Sequence, residues 1–114
     1  MKKILRKIIR MFNRCATSGL SYVETKNIMR NNQNVVLIDV RSRQEFNEGH
    51  LPNAINISVY DIAKEIVNKV TDKNYIIILY CQTEKRSVKA KRILEKMGYV
   101  NIYILKGGID SIVL

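Results

Sequence analysis

The sequence has few of the residues that build several common kinds of site. Two cysteines, Cys15 and Cys81, are too few for a disulfide framework, and a single histidine, His50, is too few for a histidine-rich metal site. No apolar run approaches the roughly 20 residues that span a bilayer. The basic N-terminus also lacks the apolar stretch of a secretory signal. We therefore expect a cytoplasmic protein in a reducing compartment, without a metal site.

The 114 residues suffice for one hydrophobic core but not for two. The net charge of +10 is concentrated in two segments. Residues 1–14 contain six basic residues and no acidic one, and residues 85–96 contain six basic residues and one acidic one. The rest of the chain sums to −1, so the body of the protein is close to neutral. Each basic segment needs its own explanation.

The first basic segment has the pattern of an amphipathic helix. Its apolar residues recur three and four positions apart, at Met1, Ile4, Leu5, Ile8, Ile9 and Phe12. We expect residues 1–19 to form this helix and a linker, and residues 20–114 to form the folded domain. The apolar face of the 1–14 helix either packs on the domain or makes peripheral contact with an anionic membrane surface. A third interpretation is that the helix binds nucleic acid through contacts with its phosphates. Aromatic residues for stacking are few and no nucleic-acid recognition motif is present, so we expect no nucleic acid.

From residue 20 onwards, strand patterns alternate with helix patterns. Four apolar runs rich in β-branched residues predict buried strands, at 35–40, 54–57, 75–81 and 101–105. Serines at helix-start positions predict helices that begin at Ser21, Ser42 and Ser58. A further helix is expected to begin near Arg86 or Ser87 and to end at Gly98. This alternation predicts an α/β fold with a largely parallel sheet.

Cys81 ends the most apolar of the predicted strands, at the edge of the sheet where ligands bind in α/β folds. The loop that follows consists of Gln82, Thr83, Glu84, Lys85 and Arg86. Its N–H groups, the positive end of the next helix and two basic side chains all favour a thiolate over a thiol. The same groups are expected to bind an anion above the sulfur. The alternative is a buried cysteine that packs as a small apolar side chain.

Three motifs in this chain resemble those of one known family. The segments VLIDVR at 36–41 and GHLPNAINI at 49–57 closely resemble the signature of the rhodanese domain. The segment YCQTEKRS at 80–87 resembles the active-site loop of that family, and LKGGI at 105–109 resembles its closing motif. Together the motifs span nearly the whole predicted domain in the family's order.

The resemblance implies a single-domain sulfurtransferase with a three-layer fold, in which helices flank a mostly parallel sheet of about five strands. In that family a cysteine thiolate takes the outer sulfur of a small anionic donor, thiosulfate or a persulfide. The resulting persulfide passes this sulfur to a thiophilic acceptor such as cyanide, a thiol or a partner protein. By position Cys81 is that cysteine, and no cofactor is implied. The alternative is a non-catalytic module of the same fold that binds a partner or carries sulfur, including one at a membrane surface.

Loop length and one substitution qualify this interpretation. Domains that resemble tyrosine phosphatases need the spacing Cys-x5-Arg to surround a phosphate, whereas Arg86 comes one position earlier, so we do not expect phosphatase activity. Family loops often have glycine where this chain has Glu84, and glycine tolerates a left-handed backbone. Glu84 either points outward and leaves Lys85 dominant, or repels small dianions so that a persulfide is the donor. A third alternative is that Glu84 pairs with Lys85 or Lys89 in solvent.

Other motif residues are expected to support the loop rather than to react. Asp39 and Arg41 lie at the carboxyl end of a neighbouring strand, where they either hydrogen-bond each other or brace the cysteine loop. Ser87 is a further supporting residue. We expect the surface carboxylate of Glu45 to pair with Arg41 or Arg43.

His50 and the Gly107-Gly108 pair are expected to have structural roles. The histidine lies in a Gly-His-Leu-Pro turn that looks architectural in the family, and transfer of a sulfane sulfur needs little proton movement. The two glycines permit a tight turn near the end of the sheet.

The second basic segment, residues 85–96, runs from the cysteine loop along the next helix. A solvated helix face explains part of this charge. A positive funnel that concentrates anionic donors, or an acidic sulfur-acceptor protein, is the more specific interpretation.

Overall fold

The computed structural model describes residues 19–112. The helix predicted at 1–14 and Cys15 lie outside the described residues. The elements in chain order are β1 (Gly19–Leu20), α1 (Tyr22–Asn31), β2 (Val35–Asp39), α2 (Arg43–Glu48), β3 (Ala54–Asn56), α3 (Ile62–Lys69), β4 (Ile76–Tyr80), α4 (Lys85–Lys96), β5 (Asn101–Leu105) and a 3-10 turn (Ile109–Ser111).

The strands form one five-stranded sheet in the order β1-β5-β4-β2-β3, and every neighbouring pair is parallel. Strand β4 lies in the middle and is buried along its whole length, as the run of apolar residues predicts. Because the sheet is parallel, the carboxyl ends of β2, β4 and β5 meet at one edge. The predicted α/β class and five-stranded sheet are confirmed.

Two apolar clusters cover the two faces of the sheet. On one face, Ile77 and Leu79 of β4 belong to the cluster that includes Ile66 of α3 and Leu94 of α4. On the other face, Ile78 and Tyr80 belong to the cluster that includes Ile28 of α1. Alternate residues of β4 therefore point to opposite layers, which gives the predicted three-layer fold and places Cys81 on the α3/α4 face.

The helix starts agree with the sequence at two positions and differ at a third. Ser21 and Ser42 are N-caps with complete capping boxes, as their spacing predicts. Ser58 is not an N-cap, because α3 begins four residues later behind Asp61, which makes no capping hydrogen bond. The Ser58 hydroxyl instead accepts from the Tyr60 N–H in a preceding turn (3.3 Å). Serine is common both in turns and at caps, so local sequence does not separate the two.

The remaining fold features concern the end of α4 and membrane spans. Gly98 follows the last turn of α4 with a φ of 97°, the left-handed conformation that its sequence position predicts. In the part of the chain that the structure describes, no helix has the length and apolar character needed to cross a membrane.

Candidate active site

The candidate site lies where β4 ends and α4 begins. Cys81 follows the last residue of β4, and the residue is 1% exposed. It packs in the apolar cluster with Val40 and Ala90. Helix α4 begins at Lys85, slightly earlier than expected, so Lys85 and Arg86 form its first turn rather than the end of the loop. The loop proper therefore has only three residues between the thiol and the helix.

The turn after β5 packs directly against this loop. The Ile109 N–H donates to the Cys81 carbonyl (2.9 Å), and the Asp110 N–H donates to the Gln82 carbonyl (3.1 Å). Gly108 approaches so closely that a Cβ there would lie 2.2 Å from the Thr83 carbonyl oxygen. The carbonyls of the loop therefore face the turn. Because C=O and N–H point in opposite directions in a trans peptide, the amides that follow these carbonyls face away from the turn.

The start of α4 has unoccupied backbone donors. Glu84 is the N-cap residue, but its side chain makes no capping hydrogen bond. Among residues 19–112, no group accepts from the N–H groups of residues 82–87. These amides lie at the positive end of the α4 dipole, directly after the thiol. Such an arrangement binds anions.

The observed position of Glu84 matches none of the three expected alternatives completely. Its φ of −142° is not left-handed, so the backbone here does not require glycine. Its carboxylate oxygen Oε2 accepts from the Gly107 N–H (2.8 Å). Within residues 19–112 it pairs with neither Lys85 nor Lys89. The carboxylate therefore points to the turn after β5, and Lys85 is the unpaired cation of the first helical turn.

Arg86 is bound by Glu45 from helix α2. Its two terminal nitrogens contact the two carboxylate oxygens at 2.6 and 3.0 Å. The expectation that Glu45 pairs with Arg41 or Arg43 is wrong, because the fold brings the start of α4 next to α2. Hydrogen bonding from Arg86 lowers the pKa of Glu45 to about 2, and the same contact raises the pKa of Arg86. The guanidinium is thereby fixed beside the cysteine loop with part of its charge compensated.

Asp39 and Arg41 form a buried pair that also contacts the loop. The Arg41 guanidinium donates to both Asp39 oxygens, with the shortest distance 2.8 Å, so the expected hydrogen bond between them is present. It also donates to the Gln82 side-chain oxygen (3.3 Å). The Gln82 amide nitrogen in turn donates to the Asp110 carboxylate. The Gln82 side chain is therefore held between two residues, and its backbone amide remains the group available to a ligand.

Two polar residues near the site were not identified from sequence. Tyr80 immediately precedes the thiol but points to the opposite face, where its hydroxyl accepts from the Leu51 N–H (3.0 Å). Burial raises the pKa of the Tyr80 phenol well above its ordinary value. Asp110 is the partner of Gln82. No sequence signal marks either contact, because both join segments distant in the chain.

Ser87 and His50 differ in how their polar atoms are used. The Ser87 hydroxyl is buried in the third position of α4 and has no hydrogen-bond partner among residues 19–112. The His50 ring stacks on Phe46 at 3.7 Å, and its Nδ1 lies 2.9 Å from the Phe46 carbonyl oxygen at the end of α2. This agrees with an architectural role for the histidine. In the described residues, no cluster of three His, Cys, Asp or Glu side chains is arranged to bind a metal.

A basic groove lies beside the loop. It is lined by Thr83, Glu84, Lys85, Val88, Lys89 and Arg92. Tyr60, beside the groove, is 82% exposed, and the Lys89 ammonium lies 5.4 Å from the centre of its ring. Within residues 19–112, none of the three cations of the groove forms an ion pair. This is the second basic segment on the folded surface.

Together, these features define an α/β domain with a buried cysteine at the end of its central strand and an open helix start beyond it. The chain belongs to the rhodanese-like domain family, whose model matches residues 21–114.

Known relatives include sulfurtransferases. The chain is 37% identical over 65 residues to the thiosulfate sulfurtransferase PspE of Escherichia coli, covering 57% of this chain and 62% of that protein. It is 35% identical over 95 residues to a tRNA uridine(34) hydroxylase of Buchnera aphidicola, covering 78% and 30%. The chain thus spans less than two thirds of either relative. A solved rhodanese with anions from E. coli matches with a TM-score of 0.63 and 34% identity, covering 70% of this chain and 93% of that one.

Proposed function

We propose that this protein is a sulfurtransferase that carries a sulfane sulfur as a persulfide on Cys81. The observation that carries the proposal is the row of N–H groups at residues 82–87, immediately after a cysteine at the carboxyl end of the central strand, from which no group among residues 19–112 accepts. The proposal is also supported by the similarity to a thiosulfate sulfurtransferase.

In the first step, the Cys81 thiolate attacks the outer sulfur of thiosulfate. A bond forms between the two sulfurs as the bond from the outer sulfur to the sulfonate breaks, and its electron pair leaves with sulfite. In the second step, an acceptor thiolate or cyanide attacks the outer sulfur of the persulfide, and the electron pair of the broken bond returns to Cys81. Both steps are nucleophilic displacements at sulfur and need no external oxidant or reductant.

The loop amides supply the stabilisation that the persulfide needs. A disulfide-type bond of about 2.05 Å places the reacting sulfur beyond the buried Sγ atom. This outer sulfur is anionic, and the free N–H groups of the loop and the first turn of α4 are suitable donors to it. The buried Ser87 hydroxyl has no hydrogen-bond partner among residues 19–112, and we propose it as a further donor for the same anion. The positive charge of Lys85 attracts the incoming anionic donor. Arg86 contributes the part of its positive charge that Glu45 does not compensate.

The basic groove fits an acidic sulfur-acceptor protein. Lys85, Lys89 and Arg92 follow one face of α4 over about 10 Å. This length exceeds what a single small anion contacts and suits several carboxylates of one partner. We expect the rate of sulfur transfer to such an acceptor to fall as ionic strength rises. Charge reversal at Arg92 should lower it further, whereas the same change at Lys96, at the far end of the helix, should have less effect.

The test is the intact mass of the full chain after incubation with thiosulfate or with a persulfide donor. Wild type should gain about 32 Da, the mass of one sulfur atom. Cys81→Ala should not gain it. Cys15→Ser is the matched control, because it removes the other cysteine and should leave the adduct unchanged. Absence of the adduct with every donor, in protein that is folded, would overturn the proposal and favour a non-catalytic binding module.

A further inference from the structure

Glu84 occupies a special position between the cysteine loop and the turn after β5. It is the last residue before α4, yet its side chain is not directed to the helix amides. Its Oε2 atom accepts instead from the Gly107 N–H, 23 residues later in the chain (2.8 Å). A hydrogen bond that a partly buried N–H donates to a carboxylate is one of the stronger hydrogen bonds in proteins.

The turn that Glu84 contacts also binds the backbone at the start of the cysteine loop. Gly108 lies against the carbonyls of residues 81–83, and the N–H groups of Ile109 and Asp110 bind two of these carbonyls. All of these contacts come from the backbone on both sides. The bond from Glu84 to Gly107 fixes the far end of the loop to the same turn, so the loop is anchored at its start and at its end.

We propose that Glu84 is a positioning residue, which anchors the cysteine loop to Gly107 and thereby holds the amides of residues 82–87 in the arrangement that binds the outer sulfur of a persulfide. This inference rests on the proposed function, because the amides matter to catalysis only if Cys81 carries the anionic sulfur. It also explains how a carboxylate is tolerated in an anion-binding loop. The charge of Glu84 is directed to a backbone donor in the turn.

The competing role is electrostatic. If Glu84 acted mainly by repelling anionic donors, removal of its charge by Glu84→Gln or by Glu84→Ala would lower the half-saturating concentration of thiosulfate equally. A positioning role predicts a different pattern. Glutamine keeps an oxygen that accepts from the Gly107 N–H, whereas alanine removes the acceptor.

The experiment measures single-turnover persulfide formation in full-length wild type, Glu84→Gln and Glu84→Ala, with thiosulfate as the donor. We expect Glu84→Ala to lower the maximal rate constant about tenfold with little change in the half-saturating concentration. Glu84→Gln should remain within about threefold of wild type. Glu95→Ala, which removes an exposed glutamate from helix α4, is the control and should match wild type. Equal rate constants in Ala and Gln variants, or a lower half-saturating concentration in both, would overturn the inference.

A second measurement does not depend on sulfur transfer. Amide hydrogen exchange at Gly107, followed by NMR, should become about tenfold faster in Glu84→Ala and change little in Glu84→Gln. Unchanged exchange at Gly107 in Glu84→Ala would show that the anchor is absent. If wild type forms no persulfide, the proposed function fails, while this exchange pattern still decides whether Glu84 anchors the loop.

Discussion

The first N–H groups of a helix have no acceptor within the helix, and α2 and α4 differ in whether side chains accept from them. At α2, the Ser42 hydroxyl accepts from the Glu45 N–H (3.2 Å), and Glu45 accepts in return from the Ser42 N–H (3.1 Å). At α4, no side chain of the described part of the chain caps the helix. The backbone explains part of the difference, since ψ is 160° at Ser42 but −16° at Glu84. The extended conformation typical of N-cap residues directs a short side chain towards the helix amides.

This difference separates a helix start that stabilises the fold from one that is available to a ligand. A capping box satisfies the first amides of a helix and contributes stability. An open start gives up that contribution and keeps its donors for an anion. Of the starts of α2 and α4, the open one follows the cysteine. Helix α3 also begins without a side-chain cap, at Asp61. The two starts are also joined, because Glu45 of the α2 capping box binds Arg86 in the first turn of α4.

The largest expected effect comes from disturbing the turn that supports the open start. In Gly108→Ala the new methyl group would lie 2.2–2.6 Å from three loop carbonyls, and the φ of 63° adds strain. We expect unfolding free energy to fall by about 3 kcal/mol and persulfide formation to be lost. Urea unfolding and intact mass measure both effects.

A matched glycine variant separates strain from collision. Gly98 also has a positive φ (97°), but a Cβ there meets no atom within 4 Å. Gly98→Ala should therefore cost about 1 kcal/mol and leave persulfide formation unchanged. If the two variants lost the same stability and formed persulfide equally, the close packing of the turn on the loop would not be needed to keep the start of α4 in its observed conformation.

The next effect comes from attempting to cap α4. Glu84→Ser places a preferred N-cap residue there, but the ψ of −16° directs its hydroxyl away from the helix amides. We therefore expect a loss of about 1.5 kcal/mol, because the bond to Gly107 disappears and no cap replaces it. The measurement is urea unfolding at neutral pH. A gain in stability would mean that the backbone adjusts easily and that only the choice of side chain keeps α4 open.

The sequence predicts the closed helix starts well and the open one only in part. Both capping boxes, the end of α4 at Gly98 and strands β2 to β5 follow from residues within a few positions of one another. The two-residue edge strand β1 has no such local signal and was not predicted. Ser58 was wrongly predicted as a cap, because a serine in a turn has the same local signal.

Contacts between distant segments explain what was missed at the site. Glu45 and Arg86 are separated by 41 positions, and Glu84 contacts Gly107 across 23. Local pattern places Glu45 near Arg41 and Arg43, and only the fold brings the start of α4 closer. Sequence therefore locates the cysteine loop and its helix but does not reveal how its charged side chains are paired.

Removal of the cap at one of the two capped helix starts should lower stability with little or no change in persulfide formation, and the effect should be smaller than those above. Ser21→Ala removes the α1 cap and should cost about 1 kcal/mol without changing persulfide formation. Ser42→Ala should cost a similar amount, but it also frees Glu45, so a modest decrease in the persulfide rate is expected. Urea unfolding and single-turnover rates test the pair. Equal rates in the two variants would mean that the α2 cap and the α4 start act independently.

The smallest effect is the pH dependence of the link between the two starts. Because Arg86 stabilises the charged carboxylate of Glu45 in the folded state, the pKa of Glu45 falls from 4.5 to about 2. The stabilisation is complete above about pH 4.5 and is lost as pH falls towards 2. About a third of each side chain is exposed, so we expect Glu45→Gln to cost less than about 1 kcal/mol at pH 7. Urea unfolding from pH 7 to pH 2.5 should show this difference shrinking, whereas Glu48→Gln, an exposed change on the same helix, should show none. A difference that persisted unchanged at low pH would mean that the carboxylate acts through its shape and its bonds to Ser42, and that its charge does not connect α2 to the start of α4.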